Sequence, residues 1–297
     1  MHIFLTGGRG EVGAPVLDAL IRAGHVVSAL ARSDAASREM AARGATPVLG
    51  DLRYPGEWMP AAAAADAFIH AGATFTADDP IIDGGVVDAL CAAATRRAQP
   101  LRVLYTGGCW LFGETGNVVA DETSPFLAPQ SFQWAVDHAA RLVEASGIEA
   151  ITIHPAMVYG DQAKGGVFER MIADAMSGGP IRIWGNGAIR WPVVHRADLG
   201  NAYVLAVEKG VSGMELCVSA EVGVPLSGIA DAIARRTGVT APHAIVPRAQ
   251  VLAESEWGEG PLLDQQMSGA RIANTLGWHP RWTDVCGFIE HDMKISE

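Results

Sequence analysis

Short apolar runs alternate with amphipathic stretches through the first half of the chain. The apolar runs, which are short enough for β-strands, lie at residues 2–6, 26–31, 46–49, 67–70, 101–106 and 150–154. The spacing of apolar residues between them predicts helices near 12–23, 35–42, 81–97 and 133–145. Regular alternation of strand and helix is typical of a parallel sheet that helices cover on both faces. The pattern therefore predicts an α/β fold built on a doubly wound parallel sheet.

Glycines spaced three apart connect the first predicted strand to the first predicted helix. They are Gly7, Gly10 and Gly13. This spacing allows a tight turn at the first glycine, close approach of the backbone to a phosphate at the second, and close packing of helix on strand at the third. Free N–H groups at the positive end of the helix can then hold a pyrophosphate. The chain therefore opens with a predicted dinucleotide site formed by Gly7, Arg9, Gly10, Glu11, Val12 and Gly13.

The regular alternation ends near residue 160. Beyond it, we predict helices at 167–176, 196–208 and 225–237, strands at 191–194 and 215–218, and a final stretch rich in loops. We therefore divide the chain into a dinucleotide-binding domain at 1–160, with a return near 190–210, and a smaller α/β lobe at 161–297 that binds the substrate. The substrate cleft is expected beyond the carboxyl ends of the strands.

The end of the second strand indicates which nicotinamide cofactor the site prefers. Ala31 stands where NAD-binding folds commonly carry a carboxylate for the ribose hydroxyls, and Arg32 and Ser33 follow it. A guanidinium group matches a 2′-phosphate well, whereas a carboxylate would repel it. Arg9 could reach the same region. We therefore predict NADP, and NAD remains the alternative because Asp34 could supply the acid one position later.

Two further strand ends carry residues suited to a nucleotide. Asp51 can accept from an adenine amino group while Leu52 packs on the ring, although an ordinary turn or helix-capping aspartate would look the same. The fourth strand ends in small residues, which either leave room for the cofactor or simply form a tight exit from the strand. We predict that Asp51, Leu52, Ala71, Gly72 and Ala73 line the cofactor site.

Composition narrows the partners that this chain can have. It has 297 residues and a formal net charge of −11, without a basic stripe for nucleic acid. No run approaches the roughly 18 apolar residues of a membrane helix, and no signal peptide precedes the first strand. The four cysteines form no CxxC pair, and the nine histidines show no metal-binding spacing. We therefore expect a cytoplasmic protein that binds a small-molecule substrate, without metal, membrane or nucleic acid.

Six segments together resemble the extended short-chain dehydrogenase/reductase superfamily, in its NAD-dependent epimerase/dehydratase branch. They lie at residues 6–13, 50–52, 68–73, 154–160, 191–199 and 270–278. The resemblance implies a Rossmann fold, and it implies that Pro155 and Val158 line the cofactor site. In this superfamily, helices equivalent to those predicted near 81–97 and 133–145 commonly form a dimer contact. The resemblance therefore permits a homodimer without requiring one.

The same resemblance shows that the usual catalytic residues are missing. Family members carry a serine or threonine after the fifth strand and a Tyr-x-x-x-Lys pair on the next helix, whose spacing puts both side chains on one face. The lysine lowers the pKa of the phenol, which then exchanges a proton with the substrate. Here Gly107 and Gly108 follow Thr106, and Trp134 and His138 have the four-residue spacing. Thr106 and His138 are therefore the catalytic candidates.

Two functions are consistent with an intact cofactor site and an altered catalytic pair. The first is an NAD(P)-dependent oxidoreductase or epimerase-like enzyme for a small carbonyl or alcohol substrate, in which Thr106 or water polarises the oxygen. A repositioned base, His138 or Tyr159, could replace the usual pair. The second is a non-catalytic NADP-binding sensor, in which His138 is a histidine at the edge of the core. An enzyme's pocket would include the aromatic side chains of Trp110, Trp134 and Trp191.

Overall fold

Seven parallel strands form the main sheet, in a computed structural model that describes residues 1–161, 166–254 and 258–295. The strands of the chain are β1 (His2–Thr6), β2 (Val26–Ala31), β3 (Thr46–Leu49), β4 (Ala67–His70), β5 (Leu101–Thr106), β6 (Ile148–Pro155), β7 (Met157–Tyr159), β8 (Arg182–Trp184), β9 (Arg190–His195), β10 (Met214–Val218), β11 (Glu221–Pro225) and β12 (Ala244–Val246). The main sheet has the order β10-β6-β5-β4-β1-β2-β3, so the chain starts in its middle. This confirms the doubly wound arrangement.

Helices cover both faces of this sheet. The α-helices of the described residues are α1 (Gly13–Arg22), α2 (Asp34–Ala42), α3 (Pro55–Ala63), α4 (Asp79–Ala94), α5 (Gln133–Glu144), α6 (Glu169–Met176), α7 (Arg196–Lys209), α8 (Leu226–Thr237), α9 (Arg248–Glu254), α10 (Ala270–Leu276) and α11 (Val285–His291). Residues of α1, α2 and α7 bury one face of the sheet, and residues of α3, α4 and α5 bury the other. The sheet is thus the central layer of three.

Continuous apolar runs explain why the strands are buried on both faces. Successive side chains of a strand point to opposite faces, so a central strand needs apolar residues at every position. In β1, Ile3 and Leu5 join the core under α1 and α7, whereas Phe4 joins the core under α3 and α4. Phe4 stacks on Trp58 and Phe68, with ring centroids 5.5 and 5.7 Å away. Burial of each such side chain contributes about 1.5–3 kcal/mol.

The chain returns to the main sheet through α7 and β10. Helix α7 packs on α1, and β10 then adds to the edge of the sheet beside β6. The helices approach closely because Gly200 has no side chain: a Cβ there would lie 2.5 Å from the carbonyl oxygen of Pro15. The later strands form two small sheets, β11-β9-β7 and β12-β8.

Strands β7, β11 and β12 are not predicted from the sequence, and the helices differ from the prediction in two places. Helix α3 is not predicted, because its alanines and Pro60 weaken the apolar pattern. It forms because Pro55 occupies the first turn, where no N–H is needed, and because Trp58 and Met59 are buried. The C-terminal region, predicted as loops, contains α9, α10 and α11. Each has seven residues, too few for a helical period to be recognised.

The described residues contain neither a membrane-spanning helix nor a cluster of metal ligands. No helix among them combines the length and hydropathy needed to cross a bilayer. No group of three or more histidine, cysteine or acidic side chains lies close enough together in those residues to hold a metal ion. Cys91, Cys109, Cys217 and Cys286 are free thiols.

Candidate functional site

The glycine turn after β1 is tight at two positions and open at a third. Gly7 has a φ of +74°, and a Cβ there would lie 2.1 Å from the carbonyl oxygen of Ala71. A Cβ on Gly13 would lie 2.1 Å from the carbonyl oxygen of Gly7. At Gly10 the nearest atom would be 3.4 Å away, so its outer side is accessible to a ligand. This is the shape that a diphosphate cradle requires.

Several backbone N–H groups of this turn have no hydrogen-bond acceptor. Ala14 donates to the carbonyl oxygen of Gly10 at 2.9 Å, which closes the first turn of α1. Among the described residues, the N–H groups of Glu11, Val12 and Gly13 have no acceptor. Unpaired N–H groups at the positive end of a helix bind anions. The turn therefore fits the diphosphate of a nicotinamide dinucleotide.

The side chains of two arginines lie close to this turn, and one is held more firmly than the other. Arg43, which the sequence does not single out, donates to the carbonyl oxygens of Gly8 at 3.1 Å and Ala14 at 2.5 Å. Arg9 pairs with Glu39 of α2 at 2.6 Å, and both side chains are about half exposed. An exposed ion pair of this kind contributes only about 0–1 kcal/mol. Arg43 therefore stabilises the turn. Arg9 is held only weakly, and Glu39 would compete with a bound phosphate for its guanidinium group.

The end of β2 presents one cation to solvent. Arg32 is exposed and makes no hydrogen bond or ion pair with the rest of the described chain. Ser33 caps α2 by accepting from the N–H of Ala36 at 3.2 Å, which leaves its hydroxyl hydrogen available for a ligand. The structure thus brings Arg32 and Ser33 to one surface beside the glycine turn, where the sequence places the ribose of the cofactor.

A small cavity lies between α4 and the residues that follow β3 and β4. Its volume is about 10 Å³, room for about one water molecule. It is lined by Leu52, His70, Gly72, Ala73, Asp79, Ile82, Asp83, Val86 and Trp134. Three of these, Leu52, Gly72 and Ala73, are assigned to the cofactor site from separate parts of the sequence. Asp51 lies beside them and accepts from the N–H of Arg53 at 2.9 Å.

The carboxyl ends of β1, β4, β5 and β6 meet at this edge of the sheet. Each of these strands pairs in parallel with the next in that order. Pro155 is buried where β6 ends, and Val158 lies half-buried in β7 just beyond it. The residues that the sequence assigns to the cofactor site follow different strands, but they therefore lie along one edge of the sheet. Ligands bind at this edge in doubly wound sheets.

Thr106 is held at the same edge but turns toward α7. Its hydroxyl lies 2.7 Å from the hydroxyl of the fully buried Tyr203. Burial raises the pKa of Tyr203, so this phenol stays protonated and one of the two hydroxyls donates to the other. Thr106 keeps only part of its hydrogen-bonding capacity for a substrate, and its catalytic role stays a prediction.

The absence of a hydroxyl residue after β5 is linked to a buried histidine on β6. A Cβ on Gly107 would lie 2.6 Å from Nδ1 of His154, so the imidazole occupies the space that a serine side chain would need. Burial lowers the pKa of His154 to about 4, although the backbone of Gly108 favours protonation. The ring is therefore neutral at pH 7 and packs against Phe112 and Phe126.

His138 belongs to a buried network centred on Asp83 of α4. The Asp83 carboxylate lies 2.7 Å from Nδ1 of His138 and 3.0 Å from Nε2 of His70. It also accepts from the Tyr105 hydroxyl at 3.0 Å, and Nδ1 of His70 lies 2.7 Å from the Thr6 hydroxyl. Burial alone would raise the pKa of Asp83, but the two imidazoles lower it well below its usual range. Nothing in the sequence pattern indicates this network.

Tyr159, the alternative base, lies in the core. Its ring packs on Phe168, His195 and Phe288, with centroids 5.2–5.9 Å away. Burial raises its pKa far above the usual value, with further contributions from nearby carboxylates such as Glu221. A buried phenol with a raised pKa is a poor proton donor, so the structure does not support this alternative.

Of the three tryptophans that the sequence places in a substrate pocket, two lie together and the third lies elsewhere. Trp110 and Trp134 belong to one apolar cluster with Phe132, whose ring lies 5.1 Å from that of Trp110. Trp191 is buried in the main core, where its indole donates to the carbonyl oxygen of Pro261 at 3.0 Å. Placing Trp191 in the pocket is therefore wrong, because β9 turns it inward.

Comparisons with known proteins identify the family. The model of the NAD dependent epimerase/dehydratase family matches residues 3–218. An uncharacterized protein of Schizosaccharomyces pombe is 30% identical over 290 residues, covering 94% of this chain and 95% of that protein. A 4-hydroxy-2-methyl-3-oxo-4-farnesyl-3,4-dihydroquinoline-1-oxide ketoreductase of Stigmatella aurantiaca is 24% identical over 270 residues, covering 87% and 80%. The structure of UDP-glucose 4-epimerase from Thermotoga maritima has a TM-score of 0.79 at 17% identity, covering 98% and 97%. The chain belongs to the NAD dependent epimerase/dehydratase family.

Proposed function

We propose that this protein is an NADPH-dependent reductase of a ketone or aldehyde on a small, largely apolar substrate. His138 delivers the proton to the carbonyl oxygen. The observation that carries the proposal is the pairing of His138 with a buried carboxylate, Asp83, at 2.7 Å, while 12% of the histidine side chain remains exposed. An imidazole that is oriented on one side and accessible on the other is suited to general acid–base catalysis.

The cofactor-binding residues divide into three groups. The N–H groups of Glu11, Val12 and Gly13 hold the diphosphate, Arg32 binds the 2′-phosphate, and Leu52 packs on the adenine ring. When bound, the nicotinamide supplies a hydride to the carbonyl carbon. The family assignment supports a nicotinamide cofactor, and the exposed Arg32, without a carboxylate at position 31, favours the phosphorylated form.

The side chains around His138 indicate the class of substrate. Trp134 lies 5.6 Å from His138 between ring centroids, and the cluster behind it contains Trp110, Leu111 and Phe132. An apolar wall excludes water from the proton donor and offers little to the many hydroxyls of a sugar nucleotide. The 24% identity to a ketoreductase also supports reduction of a carbonyl group.

The proposed reaction is tested by following NADPH absorbance with a panel of carbonyl compounds. We expect turnover with aryl and alkyl ketones or aldehydes, and none with UDP-glucose or other nucleotide sugars. Calorimetry with NADPH is run on the same preparation. Binding of NADPH without oxidation by any member of the panel would overturn the proposal and favour the sensor function, which Gly107 motivates because it stands where a catalytic hydroxyl is usual.

Arg32→Ala should weaken NADPH binding by about 10- to 100-fold, the range expected for loss of a charge-assisted hydrogen bond to phosphate. NADH affinity should change less than about twofold, since its ribose carries no phosphate. Isothermal calorimetry with both cofactors measures the change. Arg22→Ala is the matched control, because it removes the same charge at the far end of α1. Tighter binding of NADH than NADPH by the unaltered protein would contradict the cofactor assignment.

A further inference from the structure

The Asp83 network determines which nitrogen of each histidine carries hydrogen. A carboxylate only accepts hydrogen bonds, so each imidazole nitrogen facing Asp83 must be protonated. His138 therefore has its hydrogen on Nδ1, and in its neutral form Nε2 carries a free lone pair. His70 has its hydrogen on Nε2, and its Nδ1 accepts from the hydroxyl of Thr6. One buried charge thus fixes two tautomers.

The space beside Nε2 of His138 is kept open by a glycine. A Cβ on Gly84, the residue after Asp83, would lie 3.3 Å from both Nε2 and Cε1 of the imidazole. Any side chain at position 84 would therefore contact Nε2 of His138, the nitrogen that does not face Asp83. Among the described residues, Nε2 has no hydrogen-bond partner. This nitrogen is therefore both unpaired and sterically accessible.

The other ionisable groups near this network have partners of their own. Asp79 of α4 accepts from the N–H and hydroxyl of Thr74 at 2.8 and 2.6 Å. Asp88 of α4 and Arg141 of α5 pair with each other. Tyr105 of β5 donates to Asp83, and burial raises its pKa well above the usual value, so it carries no charge. Asp83 is thus the charge in direct contact with His138.

We propose that Asp83 is the positioning residue of this site. It holds His138 in the tautomer whose Nε2 exchanges a proton with the substrate, and through His70 and Thr6 it connects this imidazole to the glycine turn. The inference deepens the proposed function and rests on it for the role of Nε2. The tautomer that Asp83 imposes is a separate claim, which holds whether or not the protein is a reductase.

Nitrogen NMR of the full-length 15N-labelled protein tests the tautomer directly. At a pH where His138 is neutral, we expect a protonated Nδ1 and an unprotonated Nε2, with signals assigned by comparison with His138→Gln. Asp83→Asn should change this pattern, because an amide can donate as well as accept. A hydrogen on Nε2 in the unaltered protein would overturn the proposal, even if Asp83→Asn does not fold.

Kinetics then test what the tautomer does. Asp83→Asn should lower kcat by about 10²-fold while KM changes less than about threefold, because the acid is misoriented but the binding surfaces remain. Asp88→Asn makes the same change at an exposed site of α4 and should have little effect on either quantity.

The two experiments separate failure of this inference from failure of the proposed function. The expected tautomer without turnover of any carbonyl substrate would leave the positioning geometry standing and reject the reductase. Turnover whose kcat Asp83→Asn leaves unchanged would reject the role of Asp83 and retain the reductase. Partial recovery of kcat in Asp83→Glu would support a positional requirement for the charge.

Discussion

Replacement of His138 by glutamine should lower kcat for ketone reduction by about 10³-fold, within the range expected for loss of a positioned general acid. Glutamine is polar and can donate to Asp83, but it cannot exchange a proton near neutral pH. The affinity for NADPH should change less than about threefold, because the proposed cofactor contacts come from the glycine turn and the ends of β2 and β3. Steady-state rates at saturating NADPH, with calorimetry on the same samples, measure both quantities.

A second histidine provides a matched control for this variant. Nε2 of His243 lies 2.8 Å from Asp231 of α8, so it also pairs with a carboxylate, but far along the chain from the catalytic candidates. His243→Gln should leave kcat within about twofold, because the partner of His243 lies on α8 and not in the Asp83 network. A His138→Gln enzyme with nearly full kcat would contradict the assignment and leave Thr106 or water to polarise the carbonyl.

Gly13→Ala should weaken NADPH binding by at least about 100-fold and lower the free energy of unfolding by about 2–4 kcal/mol. The added Cβ would lie 2.1 Å from the oxygen and 2.6 Å from the carbon of the Gly7 carbonyl. Backbone atoms must then move apart, which displaces the N–H groups that we assign to the diphosphate. Calorimetry with NADPH and chemical denaturation without it measure the two effects separately.

Gly56→Ala is the control for this substitution. Gly56 lies in α3, and a Cβ there would meet nothing within 4 Å. Alanine should therefore be neutral or stabilise the protein by about 0.5–1 kcal/mol, since it is the better helix former. Normal NADPH affinity in Gly13→Ala would show that the glycine turn does not hold the diphosphate.

The main sheet follows from the sequence because the relevant signals are local. A strand buried on both faces requires a continuous apolar run, as in Ile3-Phe4-Leu5, and such a run is visible without a structure. The glycine turn is equally local, since one short segment contains the turn, the open position and the helix contact. Helix α3 is not predicted because alanine occurs on both buried and exposed helix faces. A run of alanines therefore shows no periodic alternation of apolar and polar residues.

The candidate site follows from the sequence only where family motifs or strand ends mark it. Arg32 directly follows β2 and Leu52 lies three residues beyond the end of β3, so their place at the edge of the sheet can be predicted. Arg43 does not stand out, because its contacts with Gly8 and Ala14 join the end of α2 to the glycine turn and the start of α1, which are distant in sequence. Gly107 looks like a simple loss of a hydroxyl until His154 is seen to occupy the space beside it.

By itself, the sequence determined the doubly wound sheet and the glycine turn, because both depend on neighbouring residues along the chain. Tertiary structure decided how His138 can act, since its partner Asp83 comes from another helix and is linked through His70 to the first strand. It also decided against Tyr159 as a catalytic base and against Trp191 as a pocket residue. Both are buried by elements that are distant in sequence. Hydrogen-bond networks and pKa shifts arise from contacts in space, and no local pattern of residue types encodes which contacts will form.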